Sequence, residues 1–375
     1  MGTATTIGSA DEAVMRRAVA LAGRGPLGDP NPRVGAVVLD ARGDVVGEGW
    51  HRGAGTPHAE AEALRVAGDS ARGGTCYVTL EPCDHEGRTP ACSQALLAAG
   101  IARVVVAGRD PNPVAAGGLA RLRAAGVSVT DGVLADAAEG LNREWLHALR
   151  SGRPFVTWKV ATTLDGRIAA ADGTSRWITG PEARRDVHAL RARVGAVLVG
   201  TGTALIDDPA LTVRLDRVAG AGDDREDDRD ASPRNERHAD AAHDGGVHAW
   251  DGRRPLRVVM GERVGDLPAD ARVLDDTAPT LLLPTREPSV ALAALHERGV
   301  RHVLLEGGGR LAAAFLRKGL VDEIVAYLAP TLLGAGASCV GDLGITTIAQ
   351  AQRLDVTDVR TLGRDVRLTL SPERS

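Results

Sequence analysis

Two short stretches of the chain carry residues that could do chemistry. The first is T-P-H-A-E, Thr56 to Glu60, and the second is E-P-C-D-H-E-G-R-T-P-A-C, Glu81 to Cys92. Thr56 suits a helix N-cap and Pro57 the first helical position, and Thr89 and Pro90 repeat that arrangement. His58, Glu60 and Cys92 are therefore expected in the first turns of two helices, with Cys83 in the loop that follows a strand. Helix N-termini favour thiolate over thiol, and a metal favours it further. His58, Cys83 and Cys92 make three zinc ligands, which leaves a fourth tetrahedral position for water. Zinc lowers the pKa of such a water toward about 7. Glu60, two residues from the imidazole, is placed to take the proton of that water and hand it to a leaving group. A closed structural site would need a fourth protein ligand, and His85 is the candidate for it.

His-x-Glu followed by Pro-Cys is the signature of zinc deaminases that act on heterocyclic bases. The departure from it is informative. Ordinary cytosine and adenosine deaminases space the cysteines Cys-x-x-Cys, whereas eight residues, Asp84 to Ala91, intervene here. The other two cysteines, Cys76 in an apolar strand and Cys339, read as packed side chains. Four cysteines in 375 residues are no disulfide framework, so a reducing, cytoplasmic location is expected. The N-terminus has no basic start followed by an apolar core, and no apolar run approaches a membrane span. A net charge of −4 argues against a dedicated nucleic-acid binder.

The elements that must position these residues alternate. Asp11 to Gly25 reads as a helix, Val34 to Leu39, Cys76 to Leu80 and Val104 to Ala107 as strands. Helices over Ala59 to Ala67 and Ala91 to Ala99 lie between them, and Ala135 to Arg150 reads as one further helix. Such alternation predicts a layered α/β domain. Ser151 to Pro154 breaks the last helix, which puts a domain boundary there: residues 1–150 and 151–375. A second α/β pattern follows, with strands at Phe155 to Ala161, Ala196 to Gly200, Val258 to Met260, Leu281 to Leu283 and Val303 to Leu305, and a helix at Pro181 to Arg193. The segment from about 216 to 252 is rich in Asp, Arg, Gly and Ala and reads as a mobile insertion, its His238, His243 and His248 solvated rather than metal-binding.

Several motifs together resemble the RibD family of bifunctional riboflavin biosynthesis proteins. They are N-P-R-V-G-A at Asn31 to Ala36, G-W-H at Gly49 to His51, H-x-G-R-T-P at His85 to Pro90 and D-P-N-P at Asp110 to Pro113. The second half matches as well, in K-V-A-T-T-L-D-G-R at Lys159 to Arg167, S-R-W-I-T at Ser175 to Thr179, R-R-D-V-H-A-L-R at Arg184 to Arg191 and T-G-T-A-L-I-D-D-P-A-L-T-V-R at Thr201 to Arg214. The resemblance implies a cytidine-deaminase-like three-layer α/β/α domain followed by a dihydrofolate-reductase-like α/β domain. It implies zinc-dependent deamination of a diaminopyrimidinone carrying a ribosylamino 5′-phosphate, then reduction of the ribosyl group to ribityl with NADPH. Phosphoribosylaminopyrimidines are thus the expected small-molecule partners, with no nucleic acid or membrane, in a homo-oligomer.

By that resemblance His58, Cys83 and Cys92 match the zinc ligands and Glu60 the proton shuttle. Asn31, His51, His85 and Asp110 fall near the pyrimidine pocket, although each could instead fix a loop. Ser175, Arg191, Leu211, Arg214 and Glu306 fall on substrate positions. Ala161, Trp177, Thr203 and Asp207 fall on cofactor positions, as does the loop of Gly308, Gly309, Arg310 and Leu311. The physics agrees in part. V-L-L-E-G-G-G-R-L, Val303 to Leu311, reads as strand, glycine loop and helix, which suits a pyrophosphate, though a tight turn would look the same. Arg191 and Arg214 could clamp a phosphate or be solvated surface. Reduction of an opened ribosylamine needs a proton, and Asp207 is the expected acid. Gly261-Glu262 stands where related reductases carry Asp-Ser, so a carboxylate could repel the cofactor phosphate and weaken NADPH binding. Two other readings stay open: a deaminase whose second domain is a scaffold only, and a nucleic-acid base deaminase, which the acidic balance and the missing Cys-x-x-Cys oppose.

Overall fold

The computed structural model describes residues 8–85, 91–214 and 254–373. The expected insertion over 216–252 lies outside the described residues, as do Thr89 and Pro90. The first half folds as α1 (Ser9–Ala22), β1 (Gly35–Leu39), β2 (Val45–Trp50), α2 (Ala59–Ala67), β3 (Thr75–Leu80), α3 (Cys92–Ala98), β4 (Arg103–Gly108), α4 (Gly118–Ala124), β5 (Ser128–Asp131), α5 (Ala135–Leu141) and α6 (Arg143–Ser151). Its five strands make one sheet in the order β2-β1-β3-β4-β5, with β3, β4 and β5 parallel and β1 antiparallel to both its neighbours.

Alternation along the strands builds two cores. Val37, Tyr77 and Val105 point to one face and pack with Met15 and Ala18 of α1 and Ala138 of α5. Ala36, Val38, Cys76, Val78, Val104 and Val106 point to the other and meet Ala59 and Ala63 of α2, Leu96 of α3 and Leu122 of α4. This is a helix–sheet–helix sandwich, with Cys76 packed in the apolar layer as expected. Two glycines of β2 seat α2. A Cβ on Gly47 would come within 2.2 Å of Ala63 O, and one on Gly49 within 2.4 Å of Ala59 O. The helix that begins beside His58 can lie this close only because β2 has no side chains there.

The expected helix over Ala135 to Arg150 is two helices. Asn142 separates them at φ −116° because its side chain is engaged elsewhere. Its Oδ1 accepts from Arg33 N at 2.8 Å and its Nδ2 donates to Arg33 O at 2.9 Å, which ties the α5–α6 junction to the N-P-R-V segment.

The second half folds as β6 (Phe155–Thr163), α7 (Pro181–Arg191), β7 (Ala196–Gly200), α8 (Thr201–Asp207), β8 (Leu256–Met260), β9 (Thr280–Leu283), α9 (Pro288–Glu297), β10 (His302–Leu305), α10 (Gly309–Arg317), β11 (Glu323–Ala329), β12 (Leu354–Leu362) and β13 (Asp365–Pro372). The sheet order is β12-β13-β11-β6-β10-β7-β8-β9; β12, β13 and β11 pair antiparallel and the rest parallel. Trp158, Leu198, Val258 and Leu305 face α9 and α10 through Leu292, Leu295 and Phe315. Val197, Val199, Leu304 and Tyr327 face α7 through Ala183, Val187 and Leu190. The sequence pattern does not mark β2, α4, β5, α8, α9 or β11–β13 as elements.

The two halves are in contact. Arg143 of α6 pairs with Glu323 of β11 at 2.8 Å, and Gly28 lies against the backbone of Val194. No helix among the described residues is long and apolar enough to cross a membrane.

Two candidate sites at opposite ends of one strand

The first site lies where α2 and α3 begin. The expected cap at Thr56 does not form, because its hydroxyl donates instead to Gly53 O at 2.7 Å in a turn. The helix starts two residues later with His58 as N-cap, and Glu60 is its second residue. Ala91 is the N-cap of α3 and Cys92 its first residue. The imidazole Nδ1 of His58 lies 3.2 Å from Cys92 Sγ and 3.5 Å from Cys83 Sγ, and Cys92 N donates to Cys83 Sγ at 3.4 Å. Tetrahedral zinc with ordinary Zn–N and Zn–S bonds would hold nitrogen and sulfur about 3.6 Å apart, so this donor set fits the ion. Among the described residues His85 is not part of the cluster; three donors converge, which is the open arrangement of a catalytic metal rather than a closed structural one.

Charge in this site is set by crowding. A hydrogen bond with Cys92, and the neighbouring His58, hold the Cys83 thiol well below its usual range, to about 4. The adjacent Cys83 sulfur and burial push Cys92 the other way. Burial pushes the Glu60 carboxyl up to about 7 against the pull of His58. Glu60 is only 4 % exposed, and it shares one cavity of about 270 Å³ with His58, Cys83, Asn31, His51, His85 and Asp110.

The other expected pocket residues divide by what holds them. His51 Nδ1 lies 3.1 Å from Pro57 O and its Nε2 lies 3.2 Å from Asn31 Nδ2. This network assigns the proton to Nδ1, leaves Nε2 as acceptor from the amide, and suits a neutral ring, which burial also favours. Asp110 accepts from Asn112 N at 2.8 Å, and Glu81 accepts from the backbone amides of Asp110, Gly117 and Leu119. Asp110 therefore shapes its loop as well as lining the cavity. The sequence signal for Glu81 is only a carboxylate between an apolar strand and Pro82; its burial is seen in the fold.

The second cluster lies at the carboxyl ends of β6, β7 and β10, the usual place for ligands in an open parallel sheet. Arg191, at the end of α7, gives Glu306 two hydrogen bonds, Nε to Oε1 at 2.7 Å and Nη2 to Oε2 at 2.9 Å, and a third to Thr212 O at 3.1 Å. The expected phosphate clamp is thus already occupied by a carboxylate. Burial alone would raise Glu306, but Arg191 and Lys159 outweigh it and hold the carboxyl at about 2. Lys159 Nζ lies 4.0 Å from Glu306 Oε2, and burial pulls its pKa down. The signal for Lys159 in the sequence is a lysine inside the apolar strand F-V-T-W-K-V-A. Burial also pulls His188 down to about 4, helped by Arg191 and Arg214, and its Nδ1 accepts from Arg214 N at 3.3 Å.

The remaining expected residues ring this cluster. Ala161 lies on β6, and Thr203 and Asp207 on α8. Burial raises the Asp207 carboxyl, opposed by Arg176. Ser175 is half-buried, while Trp177 is exposed, with the Arg184 guanidinium 4.5 Å above its ring. Leu211 is packed into the core at φ 52°, so its backbone rather than its side chain is what a ligand would meet. Gly308 caps α10 with no side chain, and a Cβ there would meet nothing, whereas one on Gly309 would come within 2.8 Å of Ser338 O. Gly309 is explained by packing; the open N-terminus before Arg310 and Leu311 suits a phosphate. The Glu262 carboxylate is paired with Arg286 at 3.0 Å, which offsets the repulsion expected of it.

Comparison with known proteins agrees with both halves. Residues 8–108 match the cytidine and deoxycytidylate deaminase zinc-binding region, and residues 154–368 match the RibD C-terminal domain. The chain is 47% identical over 342 residues to riboflavin biosynthesis protein RibD of Mycobacterium tuberculosis, covering 91% of each. It is 41% identical to the Escherichia coli protein of that name, covering 96% of this chain and 99% of the other. Acinetobacter baumannii RibD superposes with a TM-score of 0.81 at 38% identity, covering 97% of this chain and 99% of that one.

Proposed function

Because the chain belongs to the RibD family, the bifunctional zinc-dependent deaminases and reductases of riboflavin biosynthesis, we propose the following assignment of its residues to the two steps. Residues 1–150 carry the deaminase and 151–375 the reductase. His58, Cys83 and Cys92 hold the zinc, which when bound supplies a water that ionises near neutral pH. The observation that carries this assignment is the convergence of those three donors, two of which, His58 and Cys83, line one cavity with buried Glu60.

Glu60 takes the proton of the attacking water and delivers it to the departing amino nitrogen. Its burial supports the role, since a carboxyl pushed toward neutrality can both accept and return a proton. Asn31 and neutral His51 orient the pyrimidine, with His85 and Asp110 at the cavity wall. Substituting Glu60 by Gln tests this directly: zinc content should persist while ammonia release is lost. Retained deamination would remove Glu60 from the mechanism.

For the second step NADPH supplies the hydride. Ala161, Trp177, Thr203 and Asp207, with the loop of Gly308, Gly309, Arg310 and Leu311, form its site. Ser175, Arg191, Leu211, Arg214 and Glu306 receive the phosphoribosyl substrate. Asp207 gives the proton that completes the reduction. Lys159 is a second candidate for that proton, favoured by its burial beside Glu306. Asp207→Asn and Lys159→Met, each followed by NADPH oxidation with the deaminated substrate, separate the two.

We also assign the enzyme to the cytoplasm, which four cysteines outside any disulfide suit, and to a homo-oligomer. The edge strand β12 exposes Val356 and Val359, and nearby Ile348 is exposed as well, an apolar edge that a second copy would cover. Sedimentation at micromolar protein should show more than a monomer.

A further inference from the structure

One lining residue of the deaminase cavity comes from the other half of the chain. Arg301 immediately precedes β10, yet it borders the same cavity as His58, Glu60 and Cys83. Among the described residues that line this cavity it is the only arginine or lysine. The segment it belongs to is rigid: Phe155 N donates to Arg301 O at 2.9 Å, and Glu306 N donates to Leu198 O at 2.9 Å. At about 3.3 Å per residue, the five steps from Arg301 to Glu306 span roughly 16 Å. One strand therefore presents a cation to the deaminase cavity at its start and a carboxylate to the reductase cleft at its end.

The guanidinium is poorly satisfied within the protein. Its Nη1 donates to His296 O at 3.1 Å, at the end of α9. Its Nε is buried and has no partner among the described residues. Burial lowers its pKa and no carboxylate compensates, in contrast to Arg191. A half-buried guanidinium with donors to spare, facing a cavity, is suited to an anion.

We propose that Arg301 binds the phosphate-bearing arm of the deaminase substrate, so that the reductase half completes the deaminase pocket. This rests on the deaminase assignment above. The ring must lie against the His58, Cys83 and Cys92 cluster for its amino carbon to react, and a 5′-phosphate must then lie a ribose away. Among the described residues Arg301 is the fixed positive charge at the cavity wall to receive it.

The test uses the full-length zinc-loaded enzyme with Arg301→Ala and Arg301→Lys, and two substrates: the diaminopyrimidinone ribosylamino 5′-phosphate and its dephosphorylated counterpart. Losing charge-assisted hydrogen bonds should raise KM for the phosphorylated substrate by about tenfold or more with kcat little changed. The dephosphorylated substrate should show no such rise, and lysine should restore part of the loss. Reduction of the deaminated product by the same variants should match wild type, because Arg301 is remote from Glu306. Equal losses for both substrates would overturn the assignment and leave Arg301 a cap for α9, as would an unchanged KM. A zinc-loaded wild type that releases no ammonia would overturn the deaminase reading and this inference with it.

Discussion

The two sites handle buried charge in opposite ways. Around His58 the donors crowd together unpaired by any salt bridge of their own: two sulfurs and an imidazole within 3.5 Å, beside a carboxyl pushed toward neutrality. Around Glu306 the charges already answer one another through a two-bond arginine pair and a nearby lysine. The first arrangement is completed by a metal. The second is already paired as folded, so a ligand there would meet the donors that Arg191 and Lys159 still offer. A site that waits for an ion can be read from residue types and spacing, whereas a self-paired site needs the partners' positions.

The largest expected effect is at the metal. Cys83→Ser should lose zinc, by elemental analysis, and with it all ammonia release, while NADPH-dependent reduction of the deaminated product persists. Loss of both activities would mean that the sites are not independent. Glu60→Gln is milder: zinc stays and deamination falls by about 10²–10⁴-fold.

In the second site the largest effect is on stability. Arg191→Ala strands Glu306, a carboxylate only 7 % exposed. Removing one partner of a buried pair costs about 3–5 kcal/mol, and the remaining Lys159 should place the loss at the lower end. Denaturant unfolding would measure it; a change of a few tenths would mean that the pair is not buried in solution. The smallest effect is on pH dependence. Burial holds His188 down at about 4 in the folded chain, below its ordinary 6.5, so the unfolded chain binds the extra proton between those values. Stability should therefore fall as pH drops from 6.5 to 4, by about 1 kcal/mol once solvent screening of this partly exposed ring is allowed for. His188→Gln should flatten that slope.

Much of the fold was legible before any coordinates. Strands such as Val104 to Ala107 are continuous apolar runs because both faces are covered, and the glycine and proline breaks around them are local. The donors His58, Cys83 and Cys92 were legible because metal chemistry restricts residue type. The misread parts depend on distant partners. Nothing local in A-D-A-A-E-G-L-N-R-E-W shows that Asn142 will bond Arg33, 109 positions away, and split the helix. Thr56 reads as a cap until Gly53 O takes its hydroxyl. The β12–β13 hairpin escaped because β12 is exposed along nearly its whole length and lacks a clean apolar alternation. For Arg191 the sequence leaves a phosphate ligand and solvated surface both open, because its link to Glu306, 115 positions away, is invisible in the chain.

One measurement tests most directly whether this chain houses both chemistries: mass analysis of the products from the diaminopyrimidinone ribosylamino 5′-phosphate, with and without NADPH. Without NADPH a single product is expected, in which one amino group has become a carbonyl and the ribosyl group is intact. With NADPH the ribityl product is expected, heavier by two hydrogens. An unchanged substrate in the first tube would contradict the deaminase assignment, and a deaminated but unreduced product in the second would leave the C-terminal half a scaffold.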